Sequence, residues 1–306
     1  MQGIRCSLVI PTRDRAELLE KCFGALAKQV LGPEDMEVIL VDDGSTDGTP
    51  QRAESLAHGM PFKSRVLKGK GRGPAAARNI GWRAAKAPLI LFTDDDCEPS
   101  PGWASGLVEF LHENPHYGGA GGEIRRLYDS MPARYIDDVG CLNPSGEGSS
   151  IHYLATANAA YRRTALEMVG GFNEAFLIAS GEDPDLCVRL RSCGVKLGKA
   201  PGAIVRHNHP SSLTGVYRMY HRYGKGEYVQ AQQGNHPCQT RGEVGRLLRE
   251  WKRCVMHYAR RRDLSLYDRM LFCVFGLTSG TALFAGFRSQ RRSDRQARRH
   301  PKAAIS

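Results

Sequence analysis

The sequence predicts an α/β fold, a mostly parallel sheet with helices on both faces, followed by a basic helical appendage. Three observations predict it. Across the first hundred residues, short apolar runs alternate with stretches of helical spacing, the pattern of strand–helix–strand units in a parallel sheet. Acidic residues cluster just past those apolar runs, where open parallel sheets bind ligands. The basic excess is confined to one end: residues 218–306 hold 19 Lys+Arg against 6 Asp+Glu, whereas residues 1–217 hold 24 against 26.

Taken in order, Ser7–Ile10 reads as the first strand. Asp14 with Glu17 three residues on has the form of a capping box, and Leu19, Cys22, Phe23, Leu26 and Val30 follow at helical spacing. Glu37–Val41 is a second strand ending at Asp42-Asp43-Gly44-Ser45. Thr49-Pro50 fits an N-cap with proline at the first helical position. A third strand near Ser64–Leu67 leads into the glycine-rich Gly69–Pro74, then an alanine-rich helix over 75–87, then the strand Leu89–Phe92. Further on, Asp185–Cys193 reads as a helix and Ala203–Val205 as the last strand. Thr12-Arg13, Asp42-Asp43 and Asp94–Asp96 all fall at strand ends, so they should converge at the carboxyl edge of the sheet.

The 306 residues suffice for one large domain and an appendage. Nine cysteines, scattered and without a C-x-x-C pair, argue against a disulfide framework or a zinc site and for reduced thiols. No charged-then-apolar leader opens the chain, so the expected setting of the main domain is cytoplasmic.

Two acidic clusters carry the chemistry. Asp94-Asp95-Asp96 follows the buried run Leu89–Phe92, and Glu182-Asp183-Pro184-Asp185 lies further along. Adjacent carboxylates repel one another unless a cation or a hydrogen-bonding ligand compensates. Hard divalent cations take oxygen ligands and often share them with a substrate diphosphate. Glycines 69, 71 and 73 form no Walker A or dinucleotide motif, and their best use is a flexible basic loop.

In Ile10-Pro11-Thr12-Arg13, Val41–Thr49, Ala77-Arg78-Asn79-Ile80-Gly81, Phe92–Asp96, Gly170-Gly171-Phe172 and Gly181–Leu186, the chain resembles the family 2 glycosyltransferases over roughly residues 4–225. These are inverting enzymes of the Rossmann-like GT-A fold that use nucleotide-sugar donors. The resemblance implies a catalytic domain over 1–225 and a basic, partly apolar tail over 226–306. It implies that Pro11, Thr12 and Asp43 contact the nucleoside base, with Arg13 beside them and Asp42 fixing the turn. Arg72 and Arg78 approach the base or diphosphate, and Asp95 reaches the ribose. Asp94 and Asp96 form the pair serving donor and metal, Mg²⁺ or Mn²⁺, and either His207 or His209 completes the metal shell. Asp183 is the implied base, with Glu182 beside it, and Asp185 is structural. The implied reaction is transfer of a sugar, a UDP-sugar by preference, to a hydroxyl on a carbohydrate, lipid-linked or small-molecule acceptor.

Competing readings are a nucleotidyltransferase or dinucleotide-dependent enzyme, and a non-enzymatic basic module binding nucleic acid. The first lacks a G-x-G-x-x-G after the opening strand. The second lacks a recognised nucleic-acid fold signature. Met270–Phe287 is free of charge over 18 residues with arginines on both flanks. An interfacial or re-entrant hairpin on an anionic membrane surface at the cytoplasmic side fits at least as well as a span, and a buried helix of the soluble fold is the plain alternative.

Overall fold

The computed structural model describes residues 4–146, 151–233 and 243–299. Its first half alternates β1 (Cys6–Thr12), α1 (Ala16–Leu26), β2 (Met36–Asp42), α2 (Thr49–His58), β3 (Lys63–Lys68), α3 (Pro74–Ala84) and β4 (Leu89–Phe92). There follow β5 (Cys97–Pro99), α4 (Trp103–Glu113), β6 (Tyr117–Arg126), α5 (Met131–Val139), a 3₁₀ turn (Thr156–Asn158), β7 (Ala159–Arg162), α6 (Arg163–Val169), α7 (Glu182–Ser192) and β8 (Lys196–His207). Helices α8 (Leu213–Gln232), α9 (Glu243–Arg260) and α10 (Leu266–Arg299) complete the described chain.

Among the described residues eight strands form one sheet in the order β3-β2-β1-β4-β7-β6-β8-β5. The expected parallel layer is β3-β2-β1-β4. Beyond it the sheet turns mixed: β7 runs antiparallel to both β4 and β6, β6 and β8 are parallel, and β5 returns antiparallel to β8. β1 shows why the sequence read as it did. Leu8 and Ile10 join the core on one face with Phe23 and Trp103, while Val9 joins the other with Trp82 and Leu186. A central parallel strand buried on both sides has no polar alternation to display.

Several expectations need correction. Asp14 does not cap α1. It sits at φ 51°, and its carboxylate accepts the Thr46 amide at 2.8 Å, tying the loop after β1 to the loop after β2. Helix α2 opens at Thr49 itself, whose amide is taken by the Asp47 carboxylate at 2.9 Å. The last strand spans twelve residues where three were expected, because Gly198, Pro201 and Gly202 conceal its pattern.

The chain divides into two compact units, Met1–Leu127 with Gly140–Asn208, and Tyr128–Val139 with His209–Ser306. The boundary at 225/226 that the resemblance implies lies within α8. Residues 234–242 and 300–306 of the basic tail lie outside the described residues.

In the second unit α10 packs on α8, α9 and α5. Gly224 of α8 and Gly286 of α10 let the helix backbones meet: a Cβ on either would strike the opposite backbone, at Leu283 and His221 respectively. Tyr135 of α5 hydrogen-bonds Ser279 at 2.8 Å and sets its ring edge-on to Phe272 and tilted against Phe275. Part of the uncharged run 270–287 is therefore used in helix packing.

Candidate active site

The carboxyl ends of β1, β2 and β4 gather the acidic and basic groups of the first unit. Thr12 Oγ1, at the end of β1, donates to Asp95 Oδ2 at 2.7 Å. Arg15 Nη1 reaches Asp95 Oδ1 at 3.2 Å and Asp96 Oδ2 at 2.8 Å. Burial raises the Asp95 carboxyl to about 7 against the lowering effect of Arg15. Asp96 is held below its ordinary value: desolvation opposes this, but His207 and Arg15 outweigh it.

His207 reaches this cluster through strand pairing. β5 and β8 align Cys97 opposite His207, and the Asn208 amide donates to the Asp96 carbonyl at 3.0 Å. His207 Nε2 thereby lies 3.5 Å from Asp96 Oδ1. His209 belongs to the second unit, where its Nε2 lies 3.2 Å from Asp137 Oδ1.

The two acidic clusters meet through one cation. Arg78, buried on α3, donates from Nη2 to Asp94 Oδ1 at 2.7 Å and from Nη1 to Glu182 Oε1 at 3.0 Å. Glu182 opens α7 after Gly181, which adopts a left-handed φ of 94°. Carboxylates in a first helical turn are favoured by the helix dipole. Burial, then the neighbouring Asp183, raises Glu182 to about 7 in spite of Arg78. Asp183 is also raised by burial, again opposed by Arg78. Its carboxylate is oriented by Thr156, whose amide donates to Oδ2 at 2.9 Å and whose hydroxyl donates to Oδ1 at 2.9 Å. Asp185 pairs with Arg189 at 2.7 Å, and Arg189 holds the carbonyls of Val169 and Gly171.

The glycine-rich loop is shaped by Asp43. Oδ1 accepts the Gly71 amide at 3.0 Å and the Arg72 amide at 3.2 Å, and Oδ2 accepts the Gly73 amide at 2.7 Å. Gly73 has φ 91°, and a Cβ there would meet the Leu177 carbonyl, so only glycine fits. Asp42 takes the Ser45 hydroxyl and fixes the turn. Pro11 is partly buried at the end of β1, Arg13 is exposed with Nη1 3.5 Å from the Gly71 carbonyl, and Arg72 pairs with Glu174 at 3.3 Å.

Sequence reasoning passed over two functional candidates. Arg15 stands three residues beyond Thr12 in a segment read as a helix start, and its charge was the available signal. Thr156 carried no local signal. It is placed by the antiparallel pairing of β4 with β7 and by the hydrogen bond from Thr93 Oγ1 to the Ala157 carbonyl at 2.9 Å.

A divalent cation fits this donor set. Ligand atoms of Asp96, Cys97 and His207 all lie within 4.8 Å of one another, and the Arg15 guanidinium already brings positive charge to Asp96. Burial pushes the Cys97 thiol well up, and a hard divalent cation prefers oxygen and nitrogen donors, so the Asp96 carboxylate and the His207 imidazole are the better ligands. Arg15 should compete with the cation. Arg15→Gln is expected to tighten Mn²⁺ binding without nucleotide by about 2- to 5-fold, the worth of a half-exposed ion pair. Electron paramagnetic resonance of free Mn²⁺ would read this, and an unchanged or weaker affinity would remove Arg15 as a competitor.

The chain is similar to known glycosyltransferases. Residues 7–170 match the model described as glycosyl transferase family 2, and residues 143–222 match one described as the N-terminal domain of galactosyltransferase. The chain is 32% identical over 216 residues to pre-mycofactocin glycosyltransferase of Mycobacterium tuberculosis, covering 68% of this chain and 43% of that protein. It is 29% identical over 225 residues to validoxylamine A glucosyltransferase of Streptomyces hygroscopicus subsp. limoneus, covering 62% and 49%. The chain thus spans about half the length of the curated relatives it matches. In fold it is similar to mannosyltransferase PcManGT of Pyrobaculum calidifontis, solved with GDP-Man and Mn²⁺, with a TM-score of 0.68 and 18% identity over 96% of this chain and 88% of that one.

Proposed function

We propose, from the premise that this chain belongs to glycosyl transferase family 2, that it moves a sugar from a nucleoside-diphosphate donor to an acceptor hydroxyl with inversion, Asp183 serving as base. One observation carries the reading: Arg78 joins Asp94 at the tip of β4 to Glu182 at the start of α7, so Asp183 stands beside the donor-side aspartates. A sugar lying over Asp94–Asp96 would present its anomeric carbon toward the group that deprotonates the acceptor. The proton passes from the acceptor hydroxyl to the Asp183 carboxylate as the new bond forms, and the nucleoside diphosphate leaves from the opposite face.

Each remaining group has a share. Thr156 fixes the orientation of the base, and burial raises its proton affinity. Thr12 and Arg15 hold Asp95 toward the nucleoside side, and Asp43 shapes the loop that borders it. Arg13 and Arg72 stand at the exposed rim of that loop, within reach of base or diphosphate. Asp96 and His207, with Asp94, would hold Mg²⁺ or Mn²⁺, which supplies charge neutralisation on the leaving diphosphate. A UDP-sugar is the first donor to test, and the acceptor is a carbohydrate, lipid-linked or small-molecule hydroxyl.

The test is a screen of UDP- and GDP-sugars that follows release of nucleoside diphosphate, with Mg²⁺ or Mn²⁺ and a chelator control. Turnover with one donor, lost on chelation, is the expected result. Asp96→Ala should weaken metal-dependent donor binding by about tenfold or more, as loss of a ligating carboxylate does. Absence of donor binding across the screen, by calorimetry as well as turnover, would reject the proposal.

A further inference from the structure

Helices α9 and α10 form an antiparallel hairpin in the second unit. A Cβ on Gly276 would strike the Cys254 sulfur, and one on Gly280 would lie 3.3 Å from Trp251 Nε1. Beside those inward residues, one flank of each helix exposes apolar side chains. α9 presents Leu248 (54% exposed), Val255 and Met256, and α10 presents Leu266 (68% exposed), Met270 and Val274. The antiparallel arrangement brings both stripes to one side of the hairpin.

The charge beside those stripes is basic. Arg249, Lys252 and Arg253 are exposed on α9, and Arg288 and Arg292 are exposed where α10 leaves its uncharged run. Nearby acids are engaged in part: Asp263 pairs with Arg261 at 2.7 Å, and Asp294 accepts from Tyr228 at 2.9 Å. Apolar side chains between cations match the acyl–headgroup boundary of a bilayer rich in anionic lipid.

α10 is long and apolar enough, from Leu266 to Gln296, to cross a membrane. Its packing argues against that. The backbone contact of Gly286 with His221, and of Gly224 with Leu283, lays α8 directly against the apolar run, and α8 carries exposed Arg218 and Arg222. Insertion of α10 across the hydrocarbon would either strip it from α8 or take those charges with it.

We propose that the α9–α10 hairpin docks this protein on an anionic bilayer, lying in the plane of the headgroups with Leu248, Val255, Met256, Met270 and Val274 at the acyl boundary. This is independent of the chemistry of the first unit. The test is co-sedimentation of the full chain with phosphatidylcholine vesicles, with and without phosphatidylglycerol. Binding should require the anionic lipid, fall with added salt and be released by alkaline carbonate. Met270→Asp with Val274→Asp should reduce binding by about tenfold or more. Arg249→Gln with Arg253→Gln should reduce it and flatten its salt dependence. Circular dichroism and nucleotide binding would verify that both variants fold.

Four results would overturn the proposal: no vesicle binding at low salt, binding that resists carbonate, full binding by the aspartate variant, or a dimer in solution that buries this face. Equal competition by RNA, with binding insensitive to the aspartates, would assign the arginines to nucleic acid instead.

Discussion

Asp183→Asn should lower turnover by about 10²- to 10⁴-fold, the range for removing a positioned general base, while donor affinity stays within about twofold. The substitution is nearly isosteric, and an amide oxygen can still accept from Thr156. What disappears is the group that takes the proton. The pH profile supplies an independent readout. Burial raises Asp183 above the ordinary aspartate value of about 3.9. Its base form is therefore lost as pH falls, and kcat/KM of the wild type should decline on the acid side at a pH above that value. The residual activity of the Asn variant should lack this limb. Substantial turnover by Asp183→Asn, or an unchanged acid limb in it, would remove Asp183 as the base. Thr156→Val offers a graded companion: the carboxylate remains but loses a hydroxyl donor, so kcat should fall by about tenfold or less with KM for donor unchanged.

Much of this site was legible in the chain because strands buried on both faces announce themselves. Leu89–Phe92 is apolar throughout, and the aspartates that follow it could only stand at its tip. The same holds for the apolar run Val38–Val41, with Asp42 closing β2 and Asp43 following it. What the sequence left open was decided by pairing between distant segments. Whether His207 or His209 approaches Asp96 depends on β5, a three-residue strand whose partner lies over a hundred residues away, and its register selects His207. Thr156 meets Asp183 only because the mixed half of the sheet folds β7 against β4. Nor did composition reveal that Tyr128–Val139 contributes a helix to the second unit: Tyr258 and Arg261, both bonded to Asp138, are contacts made across more than a hundred residues. Local propensity is silent on such contacts. Arg78 lies between these cases, because its motif marked it while its actual partners, Asp94 and Glu182, came from the fold.

Arg78→Ala should cost about 3–5 kcal/mol of stability, the usual result of leaving a buried charge without its partner. Arg78 and Glu182 are 4% and 3% exposed at their side chains, so water cannot replace the lost ion pair. The guanidinium is itself under demand, since its Nε is buried without a hydrogen-bond partner. The loss should depend on pH. Glu182 already stands near 7 in the folded protein, above the ordinary glutamate value of about 4.3, and removing Arg78 takes away a lowering influence. Between those two values the folded state binds more protons than the unfolded chain, so stability declines as pH rises. The variant should therefore lie closest to wild type near pH 5 and fall further behind toward pH 8. Adding Glu182→Gln to Arg78→Ala should recover part of the loss and flatten its pH dependence, because the orphaned group no longer ionises. A double-mutant cycle from denaturant unfolding at both pH values measures the coupling directly. Arg78→Lys should not restore the wild type, since one ammonium cannot reproduce a fork that serves Asp94 and Glu182 in separate directions. Losses below about 1 kcal/mol in Arg78→Ala, within the range of an exposed pair, would mean that the two acidic clusters do not depend on this bridge.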